Sequence, residues 1–235
     1  MKQLNPLQSY NFNSNDFISQ GMAKLKELFL NNGYLVYRWP EIYLDDYDVY
    51  KNKYGEIKSN DEDTPDYLAV YTDFGTHGEK EGIVVLFKDR IQSFCKIKKL
   101  NFDDVCFVIL MHELGHWLSH WPICNGGNWS EGYNAGTDKK THESFAQLIA
   151  YWMVDGNPKL ENILSANLTP KNTGDPYYLY NNLKHHSKSL ILKKLSEFRC
   201  GHITLSSFGG DDDEMYDYLA SNAKTREEWP GLPEE

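Results

Sequence analysis

The sequence predicts an α+β fold: a small, twisted, mixed sheet packed on one central helix, followed by a mostly helical C-terminal part. Three observations carry that expectation. Runs rich in β-branched and aromatic residues recur at 34–37, 67–71 and 82–87, a composition that suits a pleated, half-buried surface. From Asn101 the sequence reaches Trp121 with no helix breaker and then meets Pro122. Beyond residue 141 the periodic segments all read as helices.

The elements follow in order. Residues 15–31 place Phe17, Ile18, Met22, Leu25, Leu28 and Phe29 at helical spacing, and Asn31-Asn32-Gly33 stops the run. The period then shortens, so Tyr34–Tyr37 and Tyr67–Tyr71 are expected strands, and Gly82–Phe87 is the strongest strand signal. The acidic, tyrosine-rich stretch 41–66 between them reads as a long loop holding a short strand or hairpin. Asn101 can cap the next helix, and Asp103 and Asp104 suit its positive start. Residues 122–140, rich in Gly and Asn, form a loop of a length that is usually functional. A second helix is expected from Thr141 to Val154, and further helices at 158–165, 176–186, 188–199 and 213–222.

Composition excludes several classes. The 235 residues are 40% hydrophobic, enough for a sizeable core. Mean hydropathy is -0.61, and the apolar run Val105–Met111 is far short of the roughly 18 residues a membrane span needs. No apolar leader follows Met1, so a cytoplasmic protein without signal peptide or membrane partner is expected. The net charge of -10 argues against a nucleic-acid partner, which requires a basic face. Much of the excess lies in residues 206–235, where nine acids face only Lys224 and Arg226. The basic groups at 88–99 and 184–199 read as solvated faces. Cys95, Cys106, Cys124 and Cys200 form no CxxC pair, as expected of reduced thiols.

Chemistry concentrates in His112-Glu113-Leu114-Gly115-His116. Four residues apart on a helix means one face, so both imidazoles can grip one metal ion. Glu113 falls beside them, where a carboxylate can hold a water and take its proton. Two histidines and a glutamate in a buried helix are costly unless a metal or partners satisfy them. Zinc suits two imidazoles, a carboxylate and a water. Glu143, at the start of the next helix, is the chosen third ligand, because Ala146 beside it permits close helix–helix contact. Asp138, His142 and His120 are its rivals. The cleft wall would include Trp117, Trp121 and Trp152. His185, His186, Tyr177, Tyr178 and Tyr180 are candidate oxyanion donors, and the strand at 83–87 is the expected edge for pairing with an extended peptide. Asp211-Asp212-Asp213-Glu214 lacks the spacing of a calcium loop.

His112-Glu113-Leu114-Gly115-His116 followed by a helical Glu143-Ser144-Phe145-Ala146 resembles the zincin metallopeptidases of the gluzincin branch. Over residues 65–155 the strand–helix–motif–helix order is similar to the compact bacterial and phage peptidases of the ImmA/IrrE type and to the peptidase domain of ArdC-type antirestriction proteins. That resemblance implies a zincin-like fold, one zinc ion held by His112, His116 and Glu143, Glu113 as catalytic base, and a peptide or protein substrate. A metzincin is excluded, since its third histidine would fall at Pro122. Residues 1–155 would then hold the sheet, the motif helix and the third-ligand helix. Residues 156–235 would complete the same domain with helices and an acidic tail. The alternative is a metal-stabilised interaction or regulatory module that does not cleave. An intact Glu113 speaks against it, because a structural site needs no base.

Overall fold

The computed structural model describes residues 4–7, 15–34, 36, 39–57, 67–72, 82–120, 139–167 and 183–192. Its elements are α1 (Asn15–Asn31), β1 (Glu41–Asp45), α2 (Tyr47–Tyr54), β2 (Ala69–Thr72), β3 (Ile83–Phe87), α3 (Lys88–Lys98), α4 (Phe102–His120), α5 (Lys139–Val154) and α6 (Pro158–Asn167). A three-stranded mixed sheet beside a larger helical part is the α+β arrangement expected. Among the described residues no helix is long and apolar enough to cross a membrane.

The sheet has the order β1-β3-β2. β1 runs parallel to β3, with Glu41 opposite Ile83 and Asp45 opposite Phe87. β2 runs antiparallel, with Ala69 opposite Leu86 and Thr72 opposite Ile83. β3 is therefore the central strand and not the edge that its apolar run was expected to offer. The physical reason is in the run itself: Ile83-Val84-Val85-Leu86-Phe87 is buried throughout, and a strand covered on both faces reads as continuous rather than alternating hydrophobicity. Val84 and Leu86 enter the main core. Ile83, Val85 and Phe87 point the other way, into a smaller cluster with Leu4 and Tyr50.

The outer side of β1 is covered by the N-terminal segment. Leu44 N–H donates to the Asn5 carbonyl at 3.1 Å, and Pro6 bridges to Tyr43. The Asp45 carboxylate accepts both the backbone N–H and the side-chain amide of Asn5, at 3.1 and 3.0 Å. β2 is the other edge, and among the described residues no strand pairs with its far side.

Two helices arise where none was expected. α2 lies in the stretch read as loop. Its Tyr47 and Tyr50 pack edge-on against Phe87, with centroids 5.1 and 5.3 Å away, so tertiary packing overrides a weak local propensity. α3 buries Ile91 and Cys95 while Lys96 and Lys98 face solvent, so the charge pattern hid a helix with a narrow apolar stripe. Conversely, Tyr34 and Val36 are buried but not in a strand. The Tyr34 hydroxyl donates to the Leu192 carbonyl at 2.9 Å and its ring meets Phe29 edge-on, which explains the alternation without a ladder.

α4 is the centre of the fold. The Asp104 N–H donates to the Asn101 side-chain oxygen at 3.1 Å, the expected cap. Every residue from Val105 to Met111 is buried, as in a helix that is apolar all round. α5 packs along it and buries Phe145, Leu148, Ile149 and Trp152. Lys159 of α6 pairs with Asp104 at 2.5 Å, tying α6 to the start of α4. Leu183, Leu190, Ile191 and Leu192 are buried as well. The helix expected at 213–222, most of that at 176–186, all but the last two residues of the loop expected at 122–140 and the acidic tail lie outside the described residues; Lys139 and Lys140 already belong to α5.

Candidate metal centre

α4 and α5 supply the site between them. Burial of seven consecutive apolar residues fixes α4 before its polar motif begins, each large side chain contributing roughly 1.5–3 kcal/mol. Gly115 lets α5 approach: a Cβ built there would lie 2.6 Å from Ala146 Cα and 3.0 Å from its carbonyl oxygen. At that separation Glu143, near the start of α5, reaches the histidines of α4.

The geometry is tight. His112 Nε2 and His116 Nε2 are 3.2 Å apart, and their rings are nearly perpendicular. Glu143 Oε2 lies 3.3 Å from the first and 3.5 Å from the second. A tetrahedral ion with ligands at about 2.0–2.1 Å separates them by about 3.3 Å, so this triangle is the size that one such ion fits. His112, His116 and Glu143 form a group that could hold a metal ion. Their side chains keep 13–17% exposure.

Electrostatics agree with that geometry. Burial alone would raise the Glu143 carboxyl, but His116 and His112, by charge and hydrogen bonding, hold it well below the usual carboxylate range. Glu143 Oε2 is itself buried, at distances from both imidazoles that suit a shared cation. The Gln147 side-chain oxygen lies 3.2 Å from His112 Nδ1. With the Nδ1 proton donated there, His112 Nε2 carries the lone pair toward the triangle.

Glu113 is buried next to the triangle. Desolvation pushes its carboxyl up to about 7, with Glu143 adding to the rise. The His112 charge and a hydrogen bond donated by the Tyr71 backbone N–H oppose it. That contact brings the edge strand β2 onto the motif helix. Sequence reading missed both Tyr71 and Gln147. The signal for Gln147 was a polar residue four positions after Glu143 in a helix otherwise apolar on that side.

The other expected residues fall elsewhere. The side chains of His120 and His142 lie outside the described residues, as do Asp138, Tyr177, Tyr178, Tyr180 and Trp121. His185 is exposed, His186 is half-buried, and neither belongs to the three-residue group. Trp117 and Trp152 are buried core residues, with Trp117 stacked at a tilt on Trp39, 5.5 Å between centroids. No protein-family model, no curated protein and no solved structure matches the chain.

Proposed function

We propose that the chain is a zinc-dependent metallopeptidase. The observation that carries this reading is the 3.2, 3.3 and 3.5 Å triangle of His112 Nε2, His116 Nε2 and Glu143 Oε2, with a buried carboxyl beside it. Two imidazoles and one carboxylate match the donor set of catalytic zinc, where three protein ligands leave room for water or substrate. A zinc ion held there supplies Lewis acidity, lowering the pKa of water and polarising a carbonyl.

The chain's own residues supply the rest. Glu113, pushed up to about 7, is matched to accept a proton from the attacking water and return it to the leaving amine near neutral pH. Tyr71 N–H holds one side of that carboxylate. Phe87 N–H donates to the Leu68 carbonyl at 2.8 Å, so the backbone groups of Leu68, Val70 and Thr72 face β3 and those of Ala69 and Tyr71 face outward. With the Tyr71 N–H held by Glu113, an extended peptide pairing with the Ala69 groups of that outer edge would pass Glu113, so β2 takes the role first expected of β3.

A module that binds metal without cleaving would gain nothing from a buried, desolvated Glu113. The experiment is peptide hydrolysis by the zinc-loaded chain and by Glu113→Gln. Hydrolysis lost by at least about a hundredfold with zinc retained supports the reading. Zinc bound without hydrolysis of any peptide library by the wild type overturns it.

A further inference from the structure

Gln147 is a buried polar side chain to which the proposed chemistry gives no task. It is wholly buried in α5, and an amide is costly to bury unless its polar atoms are used. Its oxygen lies 3.2 Å from His112 Nδ1, while its nitrogen is buried with no hydrogen-bond partner among the described residues. Glu143 and Gln147 are four residues apart, as are His112 and His116. The two pairs thus face each other across the α4–α5 contact, and α5 holds both nitrogens of the His112 ring: Nε2 against Glu143 and Nδ1 against Gln147.

We infer that Gln147 is a positioning residue that commits His112 to the Nδ1–H tautomer and so aims its Nε2 lone pair into the metal triangle. The alternatives show why the amide orientation matters. Turned over, Gln147 would present N–H to Nδ1, and the imidazole proton would have to move to Nε2, where it blocks coordination. With the oxygen toward Nδ1, the amide nitrogen finds no partner among the described residues, a cost set against a fixed ring. A neutral amide also accepts the Nδ1 proton without adding another negative charge beside Glu113 and Glu143. Partners of this kind orient a ligating ring and raise metal affinity.

The inference rests on the metal reading, and the test separates the two. Zinc affinity is measured by chelator competition on the wild type, Gln147→Met and Gln147→Glu, with thermal unfolding of each metal-free chain as the folding control. Methionine keeps the length and loses the acceptor; glutamate keeps the acceptor. The expected result is zinc binding weakened about 10–100-fold in Gln147→Met, with Gln147→Glu restored to within a few-fold of wild type. Equal affinity in wild type and Gln147→Met overturns the inference alone, as does equal loss in both variants. No zinc on the wild type overturns the metal reading, and the inference with it. Should Gln147→Met not fold, the zinc-loaded wild type labelled at histidine decides. A slowly exchanging Nδ1 proton on His112 supports the inference, and a rapidly exchanging one overturns it.

Discussion

Gly115 and Ala146 meet backbone to backbone, with no room for a β-carbon at position 115. The two residues set the separation of α4 and α5, and that separation is what delivers Glu143 to His112 and His116. Gly115→Ala therefore has to push the helices apart. The expected cost is about 1–3 kcal/mol of stability, with zinc affinity falling in parallel. Thermal unfolding and chelator competition on the same variant check both.

The Glu113 carboxyl imposes a pH-dependent cost on the metal-free fold. Its folded pKa of about 7 lies above the ordinary value of 4.5. Below pH 4.5 both states are protonated and nothing is lost. Between 4.5 and 7 the unfolded chain ionises first, so stability falls, and above 7 the loss is complete. Glu113→Gln removes it. Denaturant unfolding in chelator should show no gain for the variant below pH 4.5. Above pH 7 the gain should be on the order of 3 kcal/mol.

Tyr71→Pro deletes one N–H and spares the ladder, because that group faces away from β3. An edge position tolerates proline. Losing a donor that favours the carboxylate raises the Glu113 pKa. The acidic limb of the peptidase pH profile is therefore expected to move upward, with zinc content unchanged.

Metal should also stabilise the folded chain by mass action. Zinc at a thousandfold over its Kd adds about 4 kcal/mol. The melting temperature is expected to rise with added zinc, and His116→Ala should abolish most of that rise. A thermal-shift titration measures it.

The motif helix and its ligands were the most legible part of the fold. His112, His116 and Glu143 follow from helical spacing and from a small residue, Ala146, at the expected crossing, and the structure brings these three side chains together. α1 was readable to its last residue, Asn31, because its apolar spacing and Asn-Gly stop agree. The elements around Phe87 were not readable. α2 depends on aromatic contacts between Tyr47, Tyr50 and Phe87, which are distant in sequence, and α3 shows only two buried residues among its lysines. Strand order was hidden for the same reason. Burial of β3 on both faces comes from partners the local sequence does not name, and the β2 edge beside Glu113 becomes visible only once Tyr71 is placed in space.

The most direct measurement is zinc per chain, by elemental analysis after dialysis, on the wild type and on Glu143→Ala. The triangle predicts about one zinc per wild-type chain and a large loss in the variant. A wild-type chain that takes up no metal when zinc is offered would contradict it, and so would a Glu143→Ala chain that keeps its full complement.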